Sequence, residues 1–128
     1  MKYLMTILLL LCTAQISAYD ENDLKRFKAI NKCPGCDLSN ADFSSDDLTG
    51  AELSGADLRN VNFSHTSTFM ADFTGAILIG ANFTGFQSKH ADFTNADLTD
   101  SNMEEGNFRT AILCNTKTPW GIENIGCK

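Results

Sequence analysis

Large apolar side chains recur at every fifth position through the middle of the chain. The series runs from Leu38 to Leu113, and only Thr68 and Ser88 interrupt it. A spacing of five matches neither the 3.6-residue period of an α-helix nor the two-residue alternation of a β-strand. The pattern therefore predicts a short structural repeat. Its apolar positions are Leu38, Phe43, Leu48, Leu53, Leu58, Phe63, Phe73, Leu78, Phe83, Phe93, Leu98, Met103, Phe108 and Leu113.

A small residue, most often alanine, precedes each large one by two positions. Side chains two apart on an extended segment point to the same side, so each small and large pair faces inward together. Between the pairs stand asparagine, glycine, serine or aspartate, which tolerate the backbone angles of tight turns. We expect the chain to take a short extended step, turn a corner and repeat, as solenoid proteins do.

The repeated motif resembles that of the pentapeptide-repeat proteins. The copies at 71–75 (ADFTG) and 81–85 (ANFTG) follow the order Ala, Asp or Asn, Leu or Phe, Ser or Thr, Gly or Asn, and the register is unbroken over 36–115. The resemblance implies an all-β fold, a right-handed quadrilateral β-helix with four pentapeptides to a coil. The repeat region would then form about four coils.

Four repeats per coil would stack residues 20 apart, and the composition of the four resulting faces supports this register. Three faces carry uniform apolar columns. Face three is irregular, because small Ser88 follows large Phe86, as matched interior volume would require. The large positions are 38, 58, 78 and 98 on face one, 43, 63, 83 and 103 on face two, 48, 68, 88 and 108 on face three, and 53, 73, 93 and 113 on face four.

Residues 1–18 have the layout of a secretory signal peptide. One cation, Lys2, precedes an apolar run that ends at Cys12, and small and polar residues follow up to Ala18. The apolar run is too short to span a membrane. We expect cleavage after Ala18, with Ala14 as the alternative site, and export of the mature chain to the periplasm or to the outside of the cell.

The segment before the repeat, 19–35, predicts a short capping helix. Leu24, Phe27 and Ile30 form its apolar stripe, and lysines and an arginine lie on the opposite face. The open end of a solenoid invites strand pairing with other chains. We therefore expect this helix to act as a lid on the first coil.

The segment after the repeat, 116–128, predicts a C-terminal cap. A turn signature at Pro119 and Gly121 flanks Trp120, and Ile122 follows. We expect Trp120 and Ile122 to cover the last coil.

Four cysteines remain in the mature chain, and an even number in an exported protein suggests two disulfides with three possible connectivities. Stacked coils are about 4.8 Å apart, so the two ends of a four-coil rod lie beyond the about 7 Å that separates bonded Cα atoms. The implied pairs are Cys33 with Cys36 and Cys114 with Cys127. The same distance argues against a zinc site, and we expect no metal.

Cys33 and Cys36 also have the spacing of a thiol oxidoreductase motif. Such a motif opens a helix and exposes its first cysteine as a thiolate. Here the motif follows the predicted helix, and Cys36 takes an inward repeat position. We therefore interpret the pair as a structural clip, with a thiol-disulfide oxidoreductase as the alternative.

The chain is acidic, with a formal net charge of −6, and the repeat region holds 12 acids against Arg59, Lys89 and Arg109. Such a surface disfavours nucleic acid and anionic lipid. Some members of the family carry acids on a long β-helix that mimics DNA and binds type II topoisomerases, so the resemblance implies that alternative. The predicted export, the disulfides and the short rod argue against it, and we expect the acids simply to face solvent.

The sequence contains no recognisable catalytic set, phosphate loop or cofactor motif. We expect a non-enzymatic exported scaffold or protein-interaction module, without a cofactor and without a membrane span in the mature chain. Its partner would be an unidentified protein or a second copy of the chain.

Two irregular repeats suggest where a partner would bind. Positions that are Ser or Thr and Gly or Asn in regular copies carry bulkier or charged side chains in two successive coils, which would form a contact surface. Alternatively, Phe69 slips inward to fill the space that Thr68 leaves. Ile77 and Ile79 on face one form a smaller rival patch. The candidate patch consists of Phe69, Met70, Lys89 and His90.

Overall fold

The structure, a computed structural model, describes residues 19–128. The predicted signal peptide, residues 1–18, lies outside the described residues. The chain begins with one helix, α1 (Glu21–Ile30), and ends with two strands, β1 (Leu113–Thr118) and β2 (Gly121–Ile125). Between them the chain forms a β-helix. No helix in this described part is long and apolar enough to cross a membrane.

The β-helix is built from parallel bridges between residues 20 apart. The bridges run from Lys32 to Lys117, and Asp57, Ile77 and Asp97 form one such column. Two backbone hydrogen bonds join Ile77 to the preceding rung: its N–H donates to the carbonyl of Ala56 at 2.9 Å, and its carbonyl accepts from the Leu58 N–H at 2.8 Å. The predicted stacking of residues 20 apart is thus the register of the ladder.

Every corner from Gly35 to Asn115 except the one at Thr110 is turned by one residue in the left-handed backbone region. Asn40 has a φ of 60° and Gly75 a φ of 67°. The next small residue then donates its backbone N–H back across the corner, as Ala41 does to the Leu38 carbonyl at 3.1 Å. Glycine and asparagine occupy most corners because they adopt this conformation at low cost.

The inward columns fill the core with stacked side chains. The ring centroids of Phe43 and Phe63 are 5.8 Å apart, those of Phe63 and Phe83 are 5.6 Å apart, and those of Phe73 and Phe93 are 4.8 Å apart. All five rings are fully buried. Contiguous packing of this kind explains why large residues are needed at every fifth position.

Face three is irregular, but its two middle coils are as well filled as the other faces. Phe86 is fully buried, and its ring lies 4.8 Å from that of Phe83. The hydroxyls of the two small residues find carbonyl partners: Ser88 Oγ donates to Asn107 at 2.7 Å and Thr68 Oγ1 to Gln87 at 3.2 Å. The volume matching expected from the sequence is therefore what the structure shows.

Helix α1 packs on the first coil mainly through Phe27, and Leu24 is partly buried against the same core. Phe27 is buried, and its ring meets that of Phe43 edge to face at 5.4 Å. The side chain of Asp20 caps the helix by accepting from the N–H groups of Asn22 and Asp23. The inclusion of Ile30 in the buried stripe was wrong: it is 57% exposed, because it is the last helical residue and the chain turns away at Asn31 into the first rung.

The ladder reaches beyond residues 36–115 at both ends. Cys33 is buried at a face four position, 20 residues before Leu53, and its N–H donates to the Glu52 carbonyl at 2.8 Å. Thr116 and Thr118 take the two inward positions of face one, and both are buried. Part of each predicted cap is therefore a continuation of the β-helix.

The expectation that Trp120 and Ile122 cover the last coil is wrong. They are 64% and 62% exposed, whereas Met103 and Phe108 at the end of the rod are only partly buried. The cause is the tight turn after Thr118, which returns β2 antiparallel beside β1 instead of across the end of the coil. Trp120 is held at this turn, where its Nε1 donates to Glu123 at 2.6 Å.

Candidate interaction surface

The four residues of the candidate patch lie together on the corner between faces three and four. Phe69 is 37% exposed and Met70 is 63% exposed, while Lys89 and His90 are exposed one coil further along. The rings of Phe69 and His90 meet edge to face at 5.9 Å. Phe69 does not replace Thr68 in the interior, since Thr68 is itself fully buried. The structure thus has Phe69 on the surface.

Two of these side chains are presented at a backbone cost. Met70 has a φ of 57° and His90 a φ of 60°, in corner positions where glycine or asparagine is usual. For a residue with a Cβ, this left-handed conformation is about 1–2 kcal/mol higher in free energy than the right-handed one. Ser45 and His65 incur the same cost elsewhere. In both pairs the two residues are 20 apart, so they lie in neighbouring coils.

The register adds Arg109 to this corner, which the sequence reasoning missed. Arg109 lies 20 residues after Lys89, as Lys89 lies 20 after Phe69, and the bridge between Gln87 and Asn107 holds these coils side by side. The signal was the same 20-residue spacing that identified the core columns. On the surface it had been followed only from residues 69 and 70 to residues 89 and 90.

The cations of this corner are unlike Arg59 on the opposite side of the rod. Arg59 pairs with Asp57 at 2.6 Å and also donates to it through Nε at 2.9 Å. Among residues 19–128, Lys89 and Arg109 form no ion pair. Their charges are therefore available to a partner.

The rival patch is smaller and lies among acids. Ile77 is 38% exposed and Ile79 is half-buried. The bridges of the ladder place Asp57 on one side of Ile77 and Asp97 on the other. One exposed isoleucine between two carboxylates makes a poor apolar contact surface.

The sequence itself matches the family model described as pentapeptide repeats. The model finds eight copies, over residues 35–67 and 89–117. The chain is a pentapeptide-repeat protein. A sequence comparison with curated proteins finds no significant match.

Solved structures similar to this pentapeptide-repeat protein include other proteins of the family. One from the thylakoid lumen of Arabidopsis thaliana is 26% identical with a TM-score of 0.44; the match covers 68% of this chain and 65% of that one. One from Nostoc is 23% identical with a TM-score of 0.45, covering 77% and 78%. The plasmid-mediated fluoroquinolone resistance protein QnrB1 is 22% identical with a TM-score of 0.35, covering 63% and 59%. This chain therefore spans less than two thirds of the thylakoid protein and of QnrB1.

The acids of this pentapeptide-repeat protein serve its corners. Asp92 Oδ1 accepts from the backbone N–H of Thr94 at 2.9 Å and from its hydroxyl at 2.6 Å, and Asn62 accepts from the N–H of Ser64 at 3.0 Å in the same way. Because an amide oxygen does the same work as a carboxylate, local turn geometry explains the seven aspartates that accept in this way. Their abundance does not require an anionic binding function.

Several of these aspartates have a lowered pKa. Donors from Thr49 lower the pKa of the Asp47 carboxyl, first through the hydroxyl and then through the backbone N–H. The Arg59 guanidinium lowers the pKa of Asp57 by a hydrogen bond, against the opposing effect of burial. Four carboxyls, hereafter the low-pKa aspartates, are Asp42, Asp47, Asp57 and Asp97.

The cysteines come together in the two expected pairs. Cys33 and Cys36 have Cα atoms 5.4 Å apart, and those of Cys114 and Cys127 are 5.0 Å apart. Both members of the first pair are buried, and Arg26 Nη2 lies 2.7 Å from Cys36 Sγ.

The only group of three potential metal ligands in residues 19–128 comprises Asp23, Cys33 and Cys36, within 4.8 Å of one another. The two sulfurs are bonded to each other and lie next to the Arg26 guanidinium. Disulfide sulfur offers no thiolate, and a neighbouring guanidinium repels a cation. This group is therefore a poor metal site.

A surface cavity of about 330 Å³ lies between α1 and the first coil. This cavity lies outside the coil, whose interior is filled by side chains. Its lining includes apolar Phe27 and Leu48 with Lys28, Asp46 and Asp47 at the edge. Its polar lining consists of one lysine, one asparagine and two aspartates.

Proposed function

We propose that this protein is an exported, non-enzymatic scaffold that binds a protein partner at the corner of Phe69, Met70, Lys89 and His90. The rod that presents this corner would be a right-handed quadrilateral β-helix of about four coils, with α1 as its lid and the two disulfides as clips at its ends. The observation that carries the proposal is the exposure of Phe69 and Met70 over a fully packed core.

The chemistry of the corner suits protein recognition. Aromatic and methionine side chains are enriched at the centres of interfaces, and methionine adapts its shape to different surfaces. Phe69 is fixed against the His90 ring, so it would lose little side-chain freedom on binding.

Export is supported by the signal-peptide layout of residues 1–18 and by the two cysteine pairs at bonding distance. Disulfides persist chiefly in oxidising compartments. The absence of catalysis is supported by the use of the interior for packing, which leaves the described cavity at the end of the rod as an accessory feature.

One observation favours the second candidate function, thiol-disulfide exchange at Cys33 and Cys36. The Arg26 guanidinium 2.7 Å from Cys36 Sγ would stabilise a thiolate formed there. Against it, both cysteines are buried, and exchange needs access to a sulfur. The clip therefore remains the preferred role.

The test compares two variants in one capture experiment. Mature protein is immobilised, incubated with the exported fraction of the producing cells, cross-linked, and the captured proteins are identified. Phe69→Ser removes a side chain that is 37% exposed, and Ile77→Ser removes one that is 38% exposed, so the second variant is a matched control. We expect Phe69→Ser to lose the partner and Ile77→Ser to keep it, with melting temperatures close to that of the wild type.

Self-association is measured on the same proteins by light scattering, since a second copy would also be lost in Phe69→Ser. Retention of every partner by Phe69→Ser would contradict the proposal. So would a sharp fall in melting temperature, which would make Phe69 a core residue.

A further inference from the structure

We propose that the partner presents a short acidic peptide segment with an apolar residue, and that Lys89 and Arg109 bind its carboxylates while Phe69 and Met70 contact its apolar side chain. This inference rests on the proposed interaction surface and adds the chemistry of the partner. It also assigns Arg109 to the site.

Charge on the rod is divided between its faces. Between the two inward positions of each rung, the outward residue is neutral on faces two and three from the second coil onward, whereas it is mostly acidic on faces one and four. Two acids of the fourth coil, Glu104 and Glu105, are exposed towards the corner between faces two and three. The neutral positions are Asn62, Asn82 and Asn102 on face two and Ser67, Gln87 and Asn107 on face three, and the acidic ones include Asp57 and Asp97 on face one and Glu52, Asp72 and Asp92 on face four.

The two free cations stand beside the neutral side of this division. Lys89 and Arg109 are exposed in adjacent coils, which the bridge between Gln87 and Asn107 holds side by side. Neighbouring like charges repel each other, and no acid in the described chain pairs with either. An anionic partner would relieve this repulsion, which makes the corner complementary to carboxylates.

The apolar half of the site adjoins the cationic half. Phe69 lies in the same column as both cations, and Met70 and His90 occupy the next column. A ligand that crosses three coils along the corner would meet an apolar surface first and positive charge next. A peptide with an aromatic or aliphatic residue beside Asp or Glu has this arrangement.

The acids on face four limit the class of anion. Asp72 and Asp92 follow the corner residues by two positions on the adjacent face. Interactions between exposed charges extend over a Debye length of about 8–10 Å, so a long polyanion that extends past the corner would be repelled. A short segment carries its charge only where Lys89 and Arg109 are. This favours a peptide over nucleic acid or an anionic membrane.

The experiment uses a displayed library of random linear peptides, selected on the oxidised mature protein. Peptides that also bind the Lys89→Gln/Arg109→Gln variant are removed. We expect the remaining peptides to combine acidic residues with an aromatic or aliphatic one. A synthetic copy of the strongest-binding peptide should bind the double variant about tenfold more weakly than the wild type. Its affinity for the wild type should fall as the salt concentration rises.

Arg59→Gln is the matched control, because it also removes one exposed cation of the repeat region but one that Asp57 already neutralises. It should bind the selected peptide as the wild type does. Circular dichroism and melting temperature confirm that all variants are folded.

Three results would overturn the inference. One is a selection that yields nothing beyond what the double variant binds, and another is enrichment of peptides without acids. The third is charge-dependent binding of an oligothymidylate or of phosphatidylglycerol vesicles that exceeds peptide binding. If the captured partner is lost in Phe69→Ser but kept by the double variant, the interaction surface stands and only its acidic specificity fails.

Discussion

Exchanging the sizes of residues 86 and 88 tests whether the irregularity of face three is a matter of interior volume. Phe86 is fully buried, with its ring 4.8 Å from that of Phe83 and 5.4 Å from that of Phe108. Ser88 is equally buried. The double variant Phe86→Ala/Ser88→Phe restores the alanine and phenylalanine spacing of regular repeats, so we expect it to be more stable than the single variants suggest.

The magnitudes follow from the packing. Phe86→Ala should cost about 3–5 kcal/mol, because a fully buried ring is replaced by a cavity between aromatic neighbours. Ser88→Phe alone should cost about 1–3 kcal/mol through overpacking, and about 1 kcal/mol more through loss of the hydrogen bond to Asn107. The double variant should lose at least about 2 kcal/mol less free energy of unfolding than the two single variants lose together, because the new ring occupies the vacated space.

Unfolding by guanidinium chloride, followed by circular dichroism with the disulfides intact, gives the free energies. A domain of this size has a stability of about 5–15 kcal/mol, so the single variants should remain measurable. Phe86→Ala combined with Leu38→Ala, which lies on another face at the other end of the rod, is the control and should be additive. A cost below about 1 kcal/mol for Phe86→Ala, or additivity of the Phe86 and Ser88 changes, would refute the volume argument.

Three further outcomes are expected. Gly85→Ala should lower the melting temperature more than Gly75→Ala does. Both glycines have positive φ, but a Cβ at Gly85 would also clash with His65 Nδ1, whereas a Cβ at Gly75 meets open space. The difference should vanish in a His65→Ala background. The free energy of unfolding, measured against pH, should fall as pH drops below about 3.8, because the low-pKa aspartates have a lower pKa in the folded state than in the unfolded state. A flat profile, or a loss of stability confined to pH above 5, would contradict this. Titration with a glutathione redox buffer, followed by thiol alkylation and mass spectrometry, should show that the Cys33–Cys36 disulfide is harder to reduce in Arg26→Gln. The variant lacks the guanidinium that stabilises the Cys36 thiolate of the reduced form. The second disulfide should be unchanged and is the internal standard.

Position in the repeat was readable from the chain because each coil repeats the same local geometry. Large residues every five positions, small residues two before them and turn residues at the corners are all short-range requirements. Uniform columns at a spacing of 20 then identified the stacking partners, and the substitution of Phe86 for a small residue next to Ser88 identified the one irregular face. The two cysteine pairs followed from the length of the rod, because its two ends are farther apart than the Cα atoms of two bonded cysteines can be.

Tertiary structure decided what happens at the ends and on the surface. The sequence assigned Trp120 and Ile122 to the end of the last coil, but the turn after Thr118 returns β2 beside β1. Met103 and Phe108 at that end therefore stay partly exposed. Such placement depends on the path of a whole segment, which no local spacing encodes. Exposure is decided in the same way: whether Phe69 points inward or outward depended on whether Thr68 already filled the interior. The periodic chain alone therefore determined register and core, while the packing of non-repeating segments and side chains determined which surface is left for a partner.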